Sequence, residues 1–329
     1  MCWRPARSCC PARPSNWPKT QRSARPISAN NQRKIPVNDK PLVNPYLAVL
    51  AGVFAVSFSS LFVRLSTAPS LMIATYRLLF TFLLLAPFTL LRHWGDLRDL
   101  NWRLRGLSAL SGLFLALHFA TWFISLRYTS LASSVVLVTI QPVFVVIGSW
   151  LFFRERISRM AMVGGLLALC GSFIIGLGDF QMDMGAFWGD LLALTAAIMI
   201  SGYLLIGRRL RHGVSLPAYT FFTYGSSALA LVLTSLATQT PFGPYQPRDW
   251  LLFFALAFVC TILGHTVFNW VLKYVQASVV SVSVLGEPLG AIVWASIFLR
   301  EYPTIRQMIG AGFIFSGLFL FTRASVGHN

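Results

Sequence analysis

Ten apolar stretches, each long enough to cross a lipid bilayer, follow one another from residue 45 to residue 322. A spanning helix needs roughly 20 apolar residues, because the hydrocarbon core of a bilayer is about 30 Å thick. Backbone amides find no water in that core and must bond within the segment, which favours helices. The stretches lie at about 45–66, 70–91, 105–126, 130–153, 159–177, 186–207, 216–237, 250–272, 277–299 and 304–322. The sequence therefore predicts an all-α membrane protein with ten transmembrane helices.

The composition of the 329 residues supports a lipid bilayer as the surroundings of this chain. Hydrophobic residues make up 56% of the sequence and charged residues only 11%, whereas soluble globular proteins contain about 25% charged residues. The net charge of +17 would suit a nucleic-acid partner only if the basic residues formed one face of a soluble domain. They cluster instead at the ends of the apolar stretches. We therefore predict no nucleic-acid partner and a multi-pass protein of the plasma membrane.

The positions of Lys and Arg predict the orientation of the helices, because short cytoplasmic loops carry an excess of basic residues. With a cytoplasmic N-terminus, the inner loops and the C-terminal tail hold twelve basic residues and the outer loops at most five. The inner residues are Arg92, Arg98, Arg103, Arg105, Arg154, Arg156, Arg159, Arg208, Arg209, Arg211, Lys273 and Arg323, and the outer ones are Arg64, Arg127, Arg248, Arg300 and Arg306. Both termini are therefore predicted to face the cytoplasm.

Residues 1–44 differ in composition from the rest of the chain. They are rich in Pro, Ser and Arg and contain Asp39 as their only acid. A segment with so few apolar residues cannot bury a core, so a disordered, basic cytoplasmic tail is the default interpretation. Because the segment is rich in Arg and Ser and poor in acids, a transit peptide is an alternative, as is an artefactual upstream start.

An internal repeat relates the fourth and fifth apolar stretches to the ninth and tenth. A shift of 146 residues lays residues 126–173 over residues 272–319 without a gap. The identical pairs include Pro142 and Pro288, Arg154 and Arg300, Glu155 and Glu301, Gly164 and Gly310, and Gly171 and Gly317. Shared hydrophobicity alone does not bring such residues into phase. The chain is thus predicted to consist of two five-helix repeats, residues 45–178 and 185–323.

An odd number of helices in each repeat has a consequence for topology. The second repeat must enter the membrane from the side opposite to the first, so the two repeats are predicted to be inverted. Inverted repeats with a binding site between them, near the bilayer midplane, are the architecture of many secondary transporters.

The repeated motifs resemble those of permeases of the drug/metabolite transporter superfamily, in the EamA group. The similar segments are "QPVFVVIGSWLFFRERIS", "GEPLGAIVWASIFLREYPT" and the arginine of "IATYRLLFTFLLLAP", and the similarity extends over roughly residues 45–322. The resemblance implies ten helices around a central cavity and the movement of small metabolites, often as efflux driven by an ion gradient. The first half carries Gln141 where the second carries Glu287, which speaks against a coupling scheme with one carboxylate in each half.

Two ionisable residues within the predicted spans are the main candidates for a functional site. A charge at the centre of a spanning helix costs about 2.5–3.5 kcal/mol on insertion scales, so Glu287 and Arg77 are expected to face the protein interior or water. Glu287 could anchor helix packing, carry a coupling proton or bind a cationic group of the substrate. Arg77 could pair with Glu287, bond helix-end carbonyls or attract a substrate carboxylate. Pro288 is predicted to kink or open its helix near Val284.

Polar residues form one face on the third stretch and one on the eighth. These faces consist of His118, Thr121, Trp122 and Ser125, and of Thr261, His265 and Asn269. Because the two stretches correspond in the two halves, they predict a wet central cavity, with Trp122 as a rigid wall for an aromatic or amphipathic ligand. A buried histidine can equally be satisfied by a neighbouring hydroxyl. We therefore treat Trp122, His118, His265 and Asn269 as candidate cavity residues.

No motif in the sequence indicates an enzyme, a metal site or a cofactor. The segments H-E-x-x-H, G-x-S-G and G-x-x-x-x-G-K-[ST] do not occur, and Cys170 and Cys260 lie in different stretches without ligand spacing to a histidine. The predicted function is secondary transport, as an exporter, of a small organic metabolite such as an amino acid or an amphipathic compound. A proton or another ion is the predicted coupling partner. A passive channel and a non-transporting scaffold or sensor are the alternatives.

Overall fold

The computed structural model describes residues 41, 43–125, 127–129, 134, 137–155, 157–176, 184–300 and 302–326. All regular secondary structure in these residues is helical, which confirms the predicted all-α class for them. The predicted tail, residues 1–44, lies almost wholly outside the described residues. The second acid of the repeated Arg-Glu pair, Glu301, also lies outside them.

Ten apolar helices make up the described part of the membrane domain. They are α1 (Pro45–Leu65), α2 (Ser70–Arg92), α3 (Trp102–Ser125), α4 (Gln141–Phe153), α5 (Arg159–Ile175), α6 (Ala186–Arg211), α7 (Leu216–Ala237), α8 (Pro247–Val271), α9 (Ala277–Phe298) and α10 (Ile305–Ser325). Eight of them are long and apolar enough to cross a membrane, whereas α4 and α5 are shorter. Residues 130–133, 135 and 136 of the predicted fourth span lie outside the described ranges. The chain is therefore a multi-pass membrane protein, and ten complete spans stay a prediction.

Two helices change their winding along their length. In α8, Leu256–His265 form a π-helix, in which each turn holds more residues than an α-helical turn. In α9, a 3₁₀ turn at Val284–Gly286 precedes the helical segment Glu287–Trp294. Pro288 has no N–H, and its ring crowds the carbonyl four residues earlier, so α-helical bonding cannot continue there. This interruption agrees with the predicted break and makes Glu287 the first residue of a new helical segment.

The helices pack in two groups that each combine the two sequence repeats. Helix α6 packs against α3 and α4, and α1 packs against α8 and α9. Helix α7 packs against α2 and α3, and α5 packs against α10. We call α3, α4 and α6 the first packing group, and α1, α8 and α9 the second packing group. Exchanging the two repeats converts one group into the other.

Four glycines bring α5 and α10 into backbone contact. A Cβ atom added at Gly164 would lie 2.7 Å from the carbonyl oxygen of Gly317, and one added at Gly171 would lie 2.5 Å from that of Gly310. Only glycine fits at such distances, which are typical of closely packed membrane helices. The shift of 146 residues maps Gly164 onto Gly310 and Gly171 onto Gly317. Each contact is therefore converted into the other when the repeats are exchanged.

Candidate functional site

Arg77 on α2 is enclosed by side chains from three other helices. Its side chain is 1% exposed. Its Nε donates a hydrogen bond to Thr261 Oγ1 on α8 at 2.9 Å, and its Nη1 donates one to Ser59 Oγ on α1 at 3.0 Å. The guanidinium carbon lies 4.5 Å from the centre of the Phe119 ring on α3, a cation–π distance. Hydrogen bonds and the ring face thus compensate much of the cost of burying this charge.

The π-helix of α8 contributes the hydroxyl that holds Arg77. Thr261 lies in the middle of this segment, and its Oγ1 also donates a hydrogen bond to the carbonyl of Leu256 at 3.2 Å. That carbonyl is five residues earlier, as the wider winding requires. π-Helical turns occur frequently at functional sites, and here the turn orients the threonine toward the guanidinium.

Glu287 on α9 has no direct partner among the described residues. Its side chain is only partly buried, and neither a hydrogen bond nor an ion pair joins it to another residue of the described ranges. It does interact electrostatically with Arg77. The two charges of opposite sign therefore lie near each other, but only Arg77 is fixed by hydrogen bonds.

The face of α9 that carries Glu287 packs against α1 one turn further along. Gly290 lies directly against the side chain of Ser57, and a Cβ atom added at Gly290 would collide with the serine hydroxyl. Trp294 Nε1 donates a hydrogen bond to Ser57 Oγ at 2.8 Å, and its ring stacks on Phe58 with centroids 4.0 Å apart. The absence of a side chain at Gly290 thus admits a neighbouring helix, which fixes the segment that begins at Glu287.

His118 on α3 is buried and bonded to the backbone of α6. Its Nδ1 lies 3.0 Å from the carbonyl oxygen of Ala196, and since a carbonyl can only accept, Nδ1 carries the proton. The ring stacks on Trp122 with centroids 5.7 Å apart. The indole nitrogen of Trp122 is buried and finds no hydrogen-bond partner in the described part of the chain. His118 is thus held by α6, whereas Trp122 retains an unused donor.

His265 at the end of the π-helix is surrounded by aromatic rings. Its ring centroid lies 6.0 Å from those of Phe119 and Phe268 and 6.4 Å from that of Tyr203. The side chain is partly buried and interacts electrostatically with Arg77 and His118. His265 therefore belongs to the same cluster of groups as the fixed arginine.

Asn269 lies one turn beyond His265 and is fully buried in a hydrogen-bond network. Its Oδ1 accepts from the Tyr203 hydroxyl at 2.8 Å, and its Nδ2 donates to the Tyr224 hydroxyl at 3.2 Å. That hydroxyl lies 2.9 Å from Thr266 Oγ1. Asn269 thus joins α8 to α6 and α7, and its polar atoms are used in helix packing.

The six candidates from the sequence therefore separate into three kinds of residue. Glu287 and His265 are partly buried without a hydrogen bond to the described residues, while Trp122 has an unused buried donor. Arg77 and His118 are buried and bonded, and Asn269 is part of the packing network. Analysis of the sequence missed Ser59, Phe119 and Tyr203, because a residue in an apolar helix gives no signal of which neighbouring helix it will meet.

Comparisons with known proteins agree with this architecture. The EamA-like transporter family matches residues 44–177 and 187–323. An uncharacterized transporter of Archaeoglobus fulgidus is 26% identical over 273 residues, which cover 83% of this chain and 94% of that protein. The uncharacterized transporter YdfC of Bacillus subtilis is 26% identical over 285 residues, which cover 85% of this chain and 90% of that protein.

A solved crystal structure shares the fold. Its TM-score is 0.73 at 18% sequence identity, with 87% of this chain and 98% of that chain covered. The two ranges matched by the family together include more than half of the sequence and correspond to its two repeats. The chain therefore belongs to the EamA-like transporter family.

Proposed function

We propose that this chain is a secondary active transporter that exports a small organic metabolite with an amino group, such as an amino acid. The observation that carries this proposal is Glu287, a carboxylate within a membrane helix that has no hydrogen bond or ion pair to the described residues. An ionised carboxylate away from water is costly unless it is paired. Its partner is therefore a proton or a cationic group that enters the site.

Asp249 has the hydrogen-bond partners expected of a carboxylate with a structural role, in contrast to Glu287. Asp249, at the start of α8, is 2% exposed. Its oxygens accept hydrogen bonds from Ser66 Oγ at 2.7 Å, from the Thr67 backbone N–H at 2.9 Å and from Thr67 Oγ1 at 2.8 Å. Asp249 thus holds the turn between α1 and α2 in place. Glu287 has no such set of donors, which favours an exchangeable partner over an anchoring role.

The fixed charge of Arg77 favours a zwitterionic substrate. A simple cation bound to Glu287 would be repelled by the nearby guanidinium, since like charges in a medium of low dielectric interact strongly. An amino acid avoids this cost by placing its ammonium group at Glu287 and its carboxylate toward Arg77 and His265. Phe119 and Trp122 supply aromatic surface for the side chain of the substrate. A proton and the substrate ammonium then compete for one carboxylate, which exchanges one for the other.

The packing of the helices supports alternating access. The site is lined by α2 and α3 from the first repeat and by α8 and α9 from the second, as inverted-repeat transporters require. The glycine contacts between α5 and α10 convert into each other on exchange of the repeats, which favours two inverted repeats within residues 45–178 and 185–323. We propose that the first and second packing groups move against each other around Glu287.

The proposed location follows from the basic residues, and the proposed direction is what the resemblance to drug/metabolite transporters implies. An excess of Arg and Lys in alternate loops favours a plasma-membrane protein with both termini in the cytoplasm. A substrate that binds from the cytoplasm would then leave the cell in exchange for protons that enter down their gradient.

The proposal is tested by solute and proton flux in proteoliposomes that contain the purified full chain. Amino acids, amphipathic cations and nucleosides are screened for saturable uptake that responds to a pH gradient. Glu287→Gln is compared with Asp99→Asn, which removes a carboxylate whose side chain is 80% exposed. We expect gradient-driven amino-acid flux in the parent and in Asp99→Asn, and loss of both solute flux and proton movement in Glu287→Gln, because the proton and the substrate ammonium share this carboxylate.

Other outcomes would contradict separate parts of the proposal. Flux that does not saturate and ignores the proton gradient would indicate a passive channel. Proton-coupled transport that survives in Glu287→Gln would assign coupling to another group. Uptake restricted to amphipathic cations would exclude the zwitterion and the inferred role of Arg77.

A further inference from the structure

A second cluster of charges lies at the end of the bundle where α4, α6 and α8 terminate. Arg208 Nη1 donates a hydrogen bond to the carbonyl oxygen of Leu272, just beyond α8, at 2.8 Å. Its Nε and Nη2 lie 3.3 Å and 3.2 Å from Glu155 Oε1, just beyond α4. The two charged side chains are only 16% and 12% exposed. One arginine therefore joins the ends of three helices.

Arg211 makes a parallel contact one turn further along α6. It is 5% exposed, and its Nε donates a hydrogen bond to the carbonyl oxygen of Asn269 on α8 at 2.9 Å. Its Nη1 bonds to the carbonyl of Val214. Two arginines of α6 thus bind carbonyls at the C-terminal end of α8, where the helix dipole favours positive charge. We call Glu155, Arg208, Arg211 and the carbonyls of Asn269 and Leu272 the helix-end latch.

The latch connects the two packing groups. Glu155 follows α4, and both arginines belong to α6, so they lie in the first packing group. The carbonyls of Asn269 and Leu272 belong to α8 and the residue after it, in the second packing group. The contacts therefore fix the distance between the two groups at this end of the bundle.

Helix α9 differs between its two ends in a way that matches closure at the latch. Its first segment, Ala277–Ser283, packs against α4 and α6 and has six buried residues of seven. Its next helical segment, Glu287–Trp294, has none. The segment of α9 between the latch and Glu287 is therefore tightly packed, which blocks access to the carboxylate from the side of the latch.

The geometry of the ion pair suits a contact that opens. Nε and Nη2 of Arg208 both approach Oε1 of Glu155. Their distances are longer than the roughly 2.7–2.9 Å of a strong charge-assisted bond. The other oxygen, Oε2, is buried and has no partner in the described part of the chain. A buried carboxylate that is only half satisfied stabilises the closed arrangement less than a two-oxygen pair would.

We propose that the helix-end latch is the gate on the predicted cytoplasmic side of the transporter, and that its opening admits the substrate to Glu287. The proposal rests on alternating access as the proposed function. In the closed arrangement, Arg208 and Arg211 hold α6 against α8, and Glu155 orients Arg208. Separation of the two packing groups at this end breaks these contacts together.

The test measures accessibility and needs no knowledge of the substrate. The five native cysteines are replaced by alanine, and Ser281→Cys is introduced as a nearly isosteric reporter. Ser281 is 0% exposed and lies in the segment of α9 that packs at the latch. Inside-out vesicles are treated with a membrane-impermeant maleimide, and the labelling rate is compared for the parent, Glu155→Gln and Arg208→Gln. Arg209→Gln is the matched control, because Arg209 is exposed on the same turn of α6.

We expect Glu155→Gln and Arg208→Gln to raise the labelling rate about fivefold or more, the lower end of typical conformational couplings, and Arg209→Gln to leave it unchanged. A control reporter at Ala74→Cys, buried on α2, should be labelled slowly in every variant. Equal rates in the parent and Glu155→Gln, or faster labelling from the opposite face, would exclude the gate. Faster labelling of both reporters would show that the latch only stabilises the fold.

The outcomes for the latch and for transport are separable. If proteoliposomes carry out proton-coupled transport while the labelling rates are equal, the gate is wrong and the proposed function stands. If the labelling rates change as expected but no gradient-driven flux exists, the two groups move and the transport proposal is wrong.

Discussion

Removing the charge of Arg77 is expected to change the energetics of Glu287, although no direct bond joins them. No ion pair within 4.0 Å connects the two side chains. They nevertheless interact electrostatically over a longer distance. Two unit charges 4 Å apart interact by about 4 kcal/mol at an effective dielectric constant of about 20. The larger separation lowers this value, so we expect a coupling free energy of about 1–3 kcal/mol.

A double-mutant cycle measures this coupling. The free energy of unfolding by a denaturing detergent is determined for the parent, Arg77→Gln, Glu287→Gln and the double variant. Arg77→Gln should be strongly destabilising, because it removes charged hydrogen bonds to Ser59 and Thr261 and leaves Glu287 without a compensating charge. The double variant should be more stable than the sum of the single effects predicts, since it leaves no uncompensated charge.

A control separates the specific coupling from a general effect of charge. Asp99→Asn combined with Arg77→Gln should be additive, because Asp99 is exposed on the short helix Trp94–Asp99. If the cycle of Arg77 and Glu287 is also additive within about 0.3–0.5 kcal/mol, the expected coupling between these two charges is absent. That result would mean that the two charges do not share a site, and the inference of a zwitterionic substrate would lose its basis.

Four further substitutions, with Gly312→Ala as the control among them, test helix packing by the same unfolding measurement. Gly171→Ala should destabilise the chain by about 1–3 kcal/mol, because the new Cβ would lie 2.5 Å from a carbonyl of α10, whereas Gly312→Ala should be nearly neutral, since nothing lies within 4 Å of its added Cβ. Asp249→Ala should cost about 2–4 kcal/mol, because it removes an acceptor of three hydrogen bonds; a loss under 1 kcal/mol would contradict its anchoring role. Trp294→Phe should cost about 1 kcal/mol, because it loses the bond to Ser57 but keeps the aromatic stack.

The helices could be predicted from the sequence because membrane solvation leaves few alternatives. Apolar stretches of spanning length gave helix ends within a few residues of those observed, except at the start of the fourth stretch, which was predicted at residue 130 while α4 begins at Gln141. Pro288 marked the interruption of α9. The repeat gave the division into halves and the glycine positions of α5 and α10. Helix ends, the proline break and the repeat can each be read from one segment or from two aligned segments, so they need no knowledge of how the helices pack.

The partners of the site residues could not be predicted in the same way. Ser59 and Phe119 contact Arg77 because α1 and α3 pack beside α2 with a particular rotation, which no single segment encodes. The face predicted for α8 assumed 3.6 residues per turn throughout. The π-helix holds more residues in each turn, so Thr261 bonds Arg77 and Asn269 is directed into the packing network with Tyr203.

The difference between the two membrane charges bears on how a transporter of this kind can be both stable and active. Arg77 is bonded to helices of both repeats, so its position is a fixed reference within the bundle. Glu287 has no bond of that kind, and under the proposed function the part of its cost that Arg77 does not offset is met by a proton or a cationic group that arrives and leaves. If both charges were fixed to each other, the site would be stable but would have no group to offer a substrate. If neither were fixed, the bundle would hold two uncompensated charges and would lose several kcal/mol of stability. The arrangement of one bonded and one unbonded charge satisfies both requirements, and it predicts that exchange of solute depends on Glu287 while folding depends more on Arg77.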